Sequence, residues 1–415
     1  MSARRWLLDI SPLRDSRAFR YAYAARTATV LVTGMLMVAN SIQVYDLSGS
    51  SLAVALLNAA MAVPMALGLL AGGVLADRID RRTLMLRARL AYVPGIVIFL
   101  ANALLPQPML WPMYLAALMC GAATGISMPA MMAVIPALVG RERLAAAAAL
   151  SGLSLQLGGI IGPALAGVLL AGPGLVVCYA IVLAGVLLTP LLLSALPSLP
   201  PSGPKRGSGP SAWAEALHWL RGNTMLRRLL WVDFVAMVLA TPLALLPQWG
   251  SEVLAAGPEA TGLLYSAPAV GALVAGLSSG WTRQVARPGL LVIGAVLVWG
   301  LAVLSLALGT HLAWALCSLA VMGAADTVSK ILRAALVQRH TPDALLGRMS
   351  SVWMMQSTLG PAIGNLQIGL VARLWSPPAA LLLGGAACLV AVGAIAAASP
   401  ALRRTTLHQP PQENA

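Results

Sequence analysis

Charge is what this 415-residue sequence has least of: only 10% of its residues are Asp, Glu, Lys or Arg. Soluble domains carry about 25%, so an ordinary globular enzyme is excluded. Aromatic residues are also few, at 5%, so the 59% of hydrophobic residues is mainly aliphatic. The four cysteines, Cys120, Cys178, Cys317 and Cys388, stand apart inside apolar runs. That spacing offers neither a disulfide framework nor a paired metal site, and buried free thiols are expected. His218, His311, His340 and His408 are scattered without metalloprotease spacing. No Gly-Lys dipeptide exists for a phosphate-binding loop, and no G-x-S-x-G elbow for a hydrolase. No cofactor, no metal and no nucleic acid are expected. The first 18 residues, interrupted by Asp9, Arg14, Asp15 and Arg17, lack the apolar core of a secretory leader.

What the sequence has is long apolar runs. A helix crosses a bilayer with about 20 apolar residues. Twelve such runs are legible, near 19–43, 52–75, 84–104, 110–138, 147–171, 174–195, 229–254, 260–280, 289–308, 312–335, 350–374 and 379–398. The runs are continuous rather than alternating, which excludes a membrane β-barrel. The expected fold class is an all-α integral membrane protein of twelve transmembrane helices.

The net charge of +14 follows from orientation rather than from an anionic partner. With the N-terminus inside, Arg4 to Arg20, Arg78 to Arg89, Arg141 and Arg143, Lys205 to Arg228, Arg283 and Arg287, Arg333 to Arg348, and Arg403 and Arg404 all fall on the cytoplasmic side. The outer loops carry Glu252 and Glu259 instead. Basic residues stay cytoplasmic, so both termini are expected inside.

Residues 196–212 are rich in Pro, Gly and Ser, as flexible linkers are. Trp213–Leu220 then reads as a short amphipathic surface helix. The expected organisation is a six-helix bundle over 1–195, a cytoplasmic linker with its amphipathic helix over 196–228, and a second bundle with a tail over 229–415. The halves echo each other. Span 4 ends in Pro136 to Arg141 (PALVGR) and span 10 in Pro342 to Arg348 (PDALLGR). A repeated six-helix half is a transporter signature, with the substrate held between repeats near mid-membrane.

Ionisable groups inside the spans cost about 2.5–3.5 kcal/mol each on insertion scales. Arg26, Asp233, Asp326 and Lys330 are the main ones, with Arg333 and Arg373 nearer the ends. Asp326 and Lys330 are four apart, hence on one helix face; a purely structural ion pair explains them equally well. Arg26 and Asp233 sit near one membrane surface, where snorkelling is the simpler account.

Two motifs carry a resemblance. Between spans 2 and 3 stands Gly73 to Arg82 (GVLADRIDRR). The positive-inside rule explains its arginines but not Asp77, Asp80 or the order. It resembles the signature loop of the major facilitator superfamily, with Asp80 where many members have Gly. The resemblance implies a charge latch at the cytoplasmic gate, formed by Gly73, Asp77, Arg78, Asp80, Arg81 and Arg82. In span 5, Gly158, Gly162, Pro163 and Gly167 resemble the superfamily's antiporter motif, with Ala166 as a departure. Helix packing alone is the alternative.

The chain as a whole resembles the siderophore-exporting branch of that superfamily, the enterobactin exporters. Trp6 to Leu8, Ala25-Arg26, Gly72 to Arg78, Asn102 to Pro106, Pro136 to Glu142 and Arg287 to Leu291 carry the likeness. It implies proton-driven export of a catecholate siderophore across a bacterial inner membrane, in two pseudo-symmetric bundles. In the implied cavity, Arg26 and Lys330 would meet the substrate's negative charge, and Trp231, Phe234 and Trp353 its rings. With no nucleotide site, the energy falls to protons. Asp326 and Asp233 are the candidate carriers, and Asp326 is favoured because Lys330 gives it a switchable partner. Macrolide or multidrug efflux is the nearest alternative, then a lipid translocator or a non-transporting sensor. The partners expected are a small-molecule substrate, protons and the bilayer, with the chain a monomer.

Overall fold

The computed structural model describes residues 9–200 and 218–405. Trp6 to Leu8, Lys205 and Arg206, most of the linker and the start of the amphipathic segment lie outside the described residues. Among the described residues there is no strand, and twelve long helices dominate. We number them α1 (Arg17–Ser48), α2 (Ser51–Arg78), α3 (Arg81–Leu104), α4 (Leu110–Val139), α5 (Leu144–Ala171) and α6 (Leu175–Ser194). Then come α7 (Thr224–Val253), α8 (Pro258–Leu277), α9 (Pro288–Leu308), α10 (Leu312–His340), α11 (Asp343–Leu374) and α12 (Pro377–Ala397). Eleven are long and apolar enough to cross a membrane. The other, α11, is also long enough, but carries Gln356, Asn365 and Gln367 among its apolar residues. Leu67, Val168, Leu191, Leu277, Leu308 and Val390 are each more than 60% exposed, so the helices present apolar faces outward. Lipid satisfies such faces and water does not.

The chain divides into two compact units. The first comprises the described residues of Met1–Ser48 and Ala60–Arg206, the second those of Gly49–Ala59 and Gly207–Ala415. Their internal pairings match helix for helix. In the first, α1 packs on α5 and α6, and α3 on α4 and α6. In the second, α7 packs on α11 and α12, and α9 on α10 and α12. Close approach of α2 to α4 is made by glycine: a Cβ on Gly68 would stand 2.8 Å from the Ala122 carbonyl oxygen. The counterpart α8–α10 crossing uses Gly271 and Gly323 against Ala320 and Pro268.

Span 7 differs from the single continuous run expected at 229–254. Regular helix stops at Leu239, and the chain continues through a 3-10 turn at Leu243–Leu245 and a π turn at Trp249–Val253. Pro242 explains the break, since it has no N–H and its ring clashes with the preceding turn. The freed backbone groups find new partners inside the second unit. Trp299 Nε1 donates to the Ala240 carbonyl (2.8 Å), the Ala244 N–H donates to Asn365 Oδ1 (3.0 Å), and the Tyr265 hydroxyl donates to the Leu243 carbonyl (2.8 Å). A broken helix survives at membrane depth only when its backbone is satisfied in this way.

Two expectations need correcting. The sequence assigns Arg89 to the loop arginines and Arg333 to the boundary between a span's end and a loop, yet both lie inside helices and are buried. Cys120, Cys178 and Cys388 are buried free thiols as expected, whereas Cys317 is exposed on α10.

Candidate transport site

The second unit contains a charge pair sealed from solvent. Asp233 on α7 is 0% exposed and Arg333 on α10 is 1% exposed, and Arg333 Nη1 meets Asp233 Oδ2 in an ion pair. Gln356 on α11 supports it, donating from Nε2 to Asp233 Oδ2 (3.0 Å) and to the Leu230 carbonyl (3.0 Å). Arg333 Nε donates to the Ser329 carbonyl one turn back (3.4 Å). Its guanidinium carbon lies 5.9 Å from the centroid of the Trp353 ring, within cation–π range. Asp233 Oδ1, Arg333 Nη2 and Trp353 Nε1 make no hydrogen bond among the described residues. The group is therefore tightly enclosed yet incompletely satisfied.

Asp326 and Lys330 form the expected pair one turn apart, with Nζ 2.6 Å from Oδ2. It is more open, the side chains being 20% and 45% exposed. Trp231 and Phe234 flank Asp233 on α7 and touch edge to face, their centroids 5.6 Å apart. Trp231 is half-exposed, and Phe234 and Trp353 are partly buried. The structure thus brings Asp233 and Trp353 together with Arg333 and Gln356, neither of which the sequence places in the site. Asp326 and Lys330 form a separate pair on the same helix as Arg333.

Arg26, on α1 in the first unit, lines a small pocket with Phe19, Tyr23, Met85, Met131 and Ser151. Its Nε and the buried Ser151 hydroxyl have no hydrogen-bond partner among the described residues. Among the described residues no carboxylate forms an ion pair with Arg26.

In the α2–α3 loop, Asp77 makes no ion pair among the described residues, whereas Asp80 is heavily used. Asp80 caps the start of α3, its Oδ1 accepting from the Thr83 N–H (2.9 Å). Its Oδ2 accepts from the Ser198 hydroxyl and the Leu199 N–H, both at 2.7 Å. Arg82 donates to the Ser194 carbonyl, and the Arg81 N–H donates to the Leu199 carbonyl (3.0 Å). Gly73 and Arg78 precede this knot at the end of α2. The loop therefore ties the end of α6 and the chain after it to α3. Burial raises the Asp80 pKa, but these three hydrogen bonds to its carboxylate and a fourth from the Thr83 hydroxyl to Oδ1 (3.3 Å) outweigh it and hold the carboxyl below the ordinary value. Asp80→Ala should cost about 1 kcal/mol, a typical loss for an N-cap. The stability Asp80 confers is present above the unfolded Asp pKa of about 3.9 and is lost as pH falls below it. Thermal unfolding of purified protein at neutral and acidic pH checks both statements. An Asp80→Ala protein that melts with wild type at neutral pH would refute the knot.

In α5, Gly158, Gly162, Pro163 and Gly167 are all buried. Gly158 and Gly162 face α1, and a Cβ on Gly162 would stand 2.6 Å from the Leu31 carbonyl oxygen and 3.2 Å from Gly34 Cα. From the other side, a Cβ on Gly34 would stand 2.9 Å from Pro163 Cδ. The motif makes the α1–α5 crossing a backbone-to-backbone contact. In the second unit, Gly364 on α11 meets Met237 of α7 in the same way.

Residues 8–413 match the profile of a family described as transmembrane secretion effector. The chain belongs to that family, within the major facilitator superfamily. This transporter is 34% identical over 397 residues to the enterobactin exporter EntS of Citrobacter koseri, covering 93% of this chain and 92% of that one. It is likewise 34% identical over 395 residues to the enterobactin exporter EntS of Salmonella typhimurium, covering 93% of each. Solved structures share the fold at low identity. A POT family transporter in complex with 5-aminolevulinic acid superposes with TM-score 0.76 at 13% identity, over 93% of this chain and 97% of that one. A D-xylose–proton symporter does so with TM-score 0.72 at 15% identity, over 94% and 99%. The transporter is thus a multi-pass membrane protein of a transporter family, not an enzyme.

Proposed function

We propose that this transporter exports a catecholate siderophore of the enterobactin type across a bacterial inner membrane, by proton antiport with alternating access. The single observation that carries the substrate is the 34% identity to enterobactin exporters, which runs over 93% of the chain rather than through one motif. Such a substrate is aromatic, bulky and partly anionic. The first unit offers such a substrate a cation at Arg26; the second offers a cation at Lys330 and ring faces at Trp231, Phe234 and Trp353. Asp233 and Asp326 are the acids available to exchange protons. Both termini lie on the cytoplasmic side in this reading, by the placement of basic loops, and the chain works as a monomer.

The α2–α3 loop acts as a cytoplasmic gate. Its Asp77 forms no ion pair among the described residues, which leaves it available to pair in another arrangement. Asp77→Asn should therefore lower transport while the protein still inserts; normal transport would remove the gate role.

Deleting the gene in an iron-limited strain lacking other exporters tests the substrate. Mass spectrometry should find the siderophore or its fragments retained in cells and depleted in the medium. Unchanged release would refute the reading.

A further inference from the structure

Exchange of a proton for a substrate needs the two to exclude each other at some element of the protein. The second unit contains one element with the parts for this. Asp233 and Arg333 neutralise each other in full burial, and Arg333 also lies over the Trp353 ring. One guanidinium therefore touches both a titratable carboxylate and an aromatic face suited to a ring-bearing substrate. Intramembrane charges are costly and usually functional. A buried ion pair is also weak evidence for stability, because packed apolar residues often serve as well. Asp233 Oδ1, Arg333 Nη2 and Trp353 Nε1, buried without a hydrogen-bond partner among the described residues, point the same way, since a purely structural network would be closed.

We propose that the Asp233–Arg333 pair is the coupling element of the transporter: paired, it holds Arg333 against Trp353 and keeps an aromatic subsite formed; protonated at Asp233, it releases Arg333 and dissolves that subsite. The proposal rests on the export reading above. The step is a simple protonation. A proton from the side of release forms an O–H bond on the Asp233 carboxylate, the ion pair breaks, and the charge of the pair rises from zero to plus one. Loss of the proton to the other side restores the pair. Substrate and proton are then bound alternately, which is antiport. Binding of an anionic substrate to a freed Arg333 would instead favour joint binding, and hence symport.

The surroundings of Asp233 leave Arg333 as its partner. On α7 itself, Arg227 and Arg228 sit at the helix start, where they donate to the Arg221 and Ala398 carbonyls. From α11 the near group is the neutral Gln356, with Arg348 and Arg373 toward the helix ends. From α10, Lys330 is engaged by Asp326. Helix α9 carries no titratable side chain, and α12 only the buried Cys388. Arg403 and Arg404 belong to the short helix Pro400–Arg404, where Arg403 donates to the Ala397 carbonyl. The sequence favours Asp326; the geometry favours Asp233, the one acid among the described residues of the second unit that is linked through its cation to an aromatic face.

The test uses the full-length protein in liposomes with enterobactin as probe. Transport with an imposed pH gradient is divided by transport without one. Wild type should give a ratio well above one, and Asp233→Asn/Arg333→Gln, which keeps the site neutral, a ratio of one. Asp233→Glu keeps the charge on a longer arm and should displace the pH profile of transport. It decides the matter should the double variant be inactive or fail to fold. A double variant with the wild-type ratio, or an Asp233→Glu profile superimposed on wild type, overturns the proposal. A wild-type ratio of one refutes the antiport reading itself, which is a distinct result.

Discussion

Arg333→Gln, made alone, should lose about 3–5 kcal/mol of stability, because it leaves the Asp233 carboxylate buried without a counter-charge. A loss of that size removes a large part of the margin of an ordinary fold. The folded, monodisperse yield in detergent should collapse, and the surviving fraction should melt well below wild type. Asp233→Asn alone should do similar damage, by stranding the guanidinium. The double neutral variant should recover most of the loss, since hydrogen-bonding groups of similar size then face each other with no net charge. The non-additivity is the signature: two substitutions together harm less than either one. If Arg333→Gln melts within experimental error of wild type, the two groups are not paired in the folded protein.

The second large effect concerns the α1–α5 crossing. Gly162→Leu would place a side chain where its first carbon already stands 2.6 Å from the Leu31 carbonyl oxygen and 3.2 Å from Gly34 Cα. These are backbone atoms of α1, so no rotamer change relieves the clash, and the helices must part. Overpacking of this kind costs about 1–3 kcal/mol even where side chains can yield. Transport should be abolished, while insertion in the membrane persists because the apolar run is unbroken. A control lies on the same helix. A Cβ on Gly152 meets nothing within 4 Å, so Gly152→Ala is tolerated and gains about 0.5–1 kcal/mol of helix stability. Thermal unfolding of the two variants should move in opposite directions. Equal behaviour would mean that α1 and α5 do not meet at Gly162.

The twelve helices and the family were legible because lipid makes simple demands on sequence: long apolar runs, basic residues confined to alternate loops, and a compact motif at one loop. What escaped was long-range pairing. Arg333 lies a hundred positions from Asp233, beyond any helical periodicity, and close enough to the end of α10 to pass as a loop arginine. One signal was present. Asp233 has no cation one turn away on its own helix, so a buried acid there required a partner from another one. The resemblance groups Asp80 with the gate; Asp80 followed by Thr83 at the start of an apolar run is also an N-cap pattern, and the structure shows that cap. The break in α7 was foreseeable at Pro242. The groups that repair it, Trp299, Asn365 and Tyr265, come from three other helices and were not.

The most direct test of siderophore export is uptake of enterobactin into everted membrane vesicles containing this transporter, under an imposed acid-inside pH gradient. The expected result is accumulation that stops when an ionophore collapses the gradient and that is absent from vesicles lacking the protein. Enterobactin uptake no greater than in those control vesicles, with a macrolide accumulated instead, would contradict it.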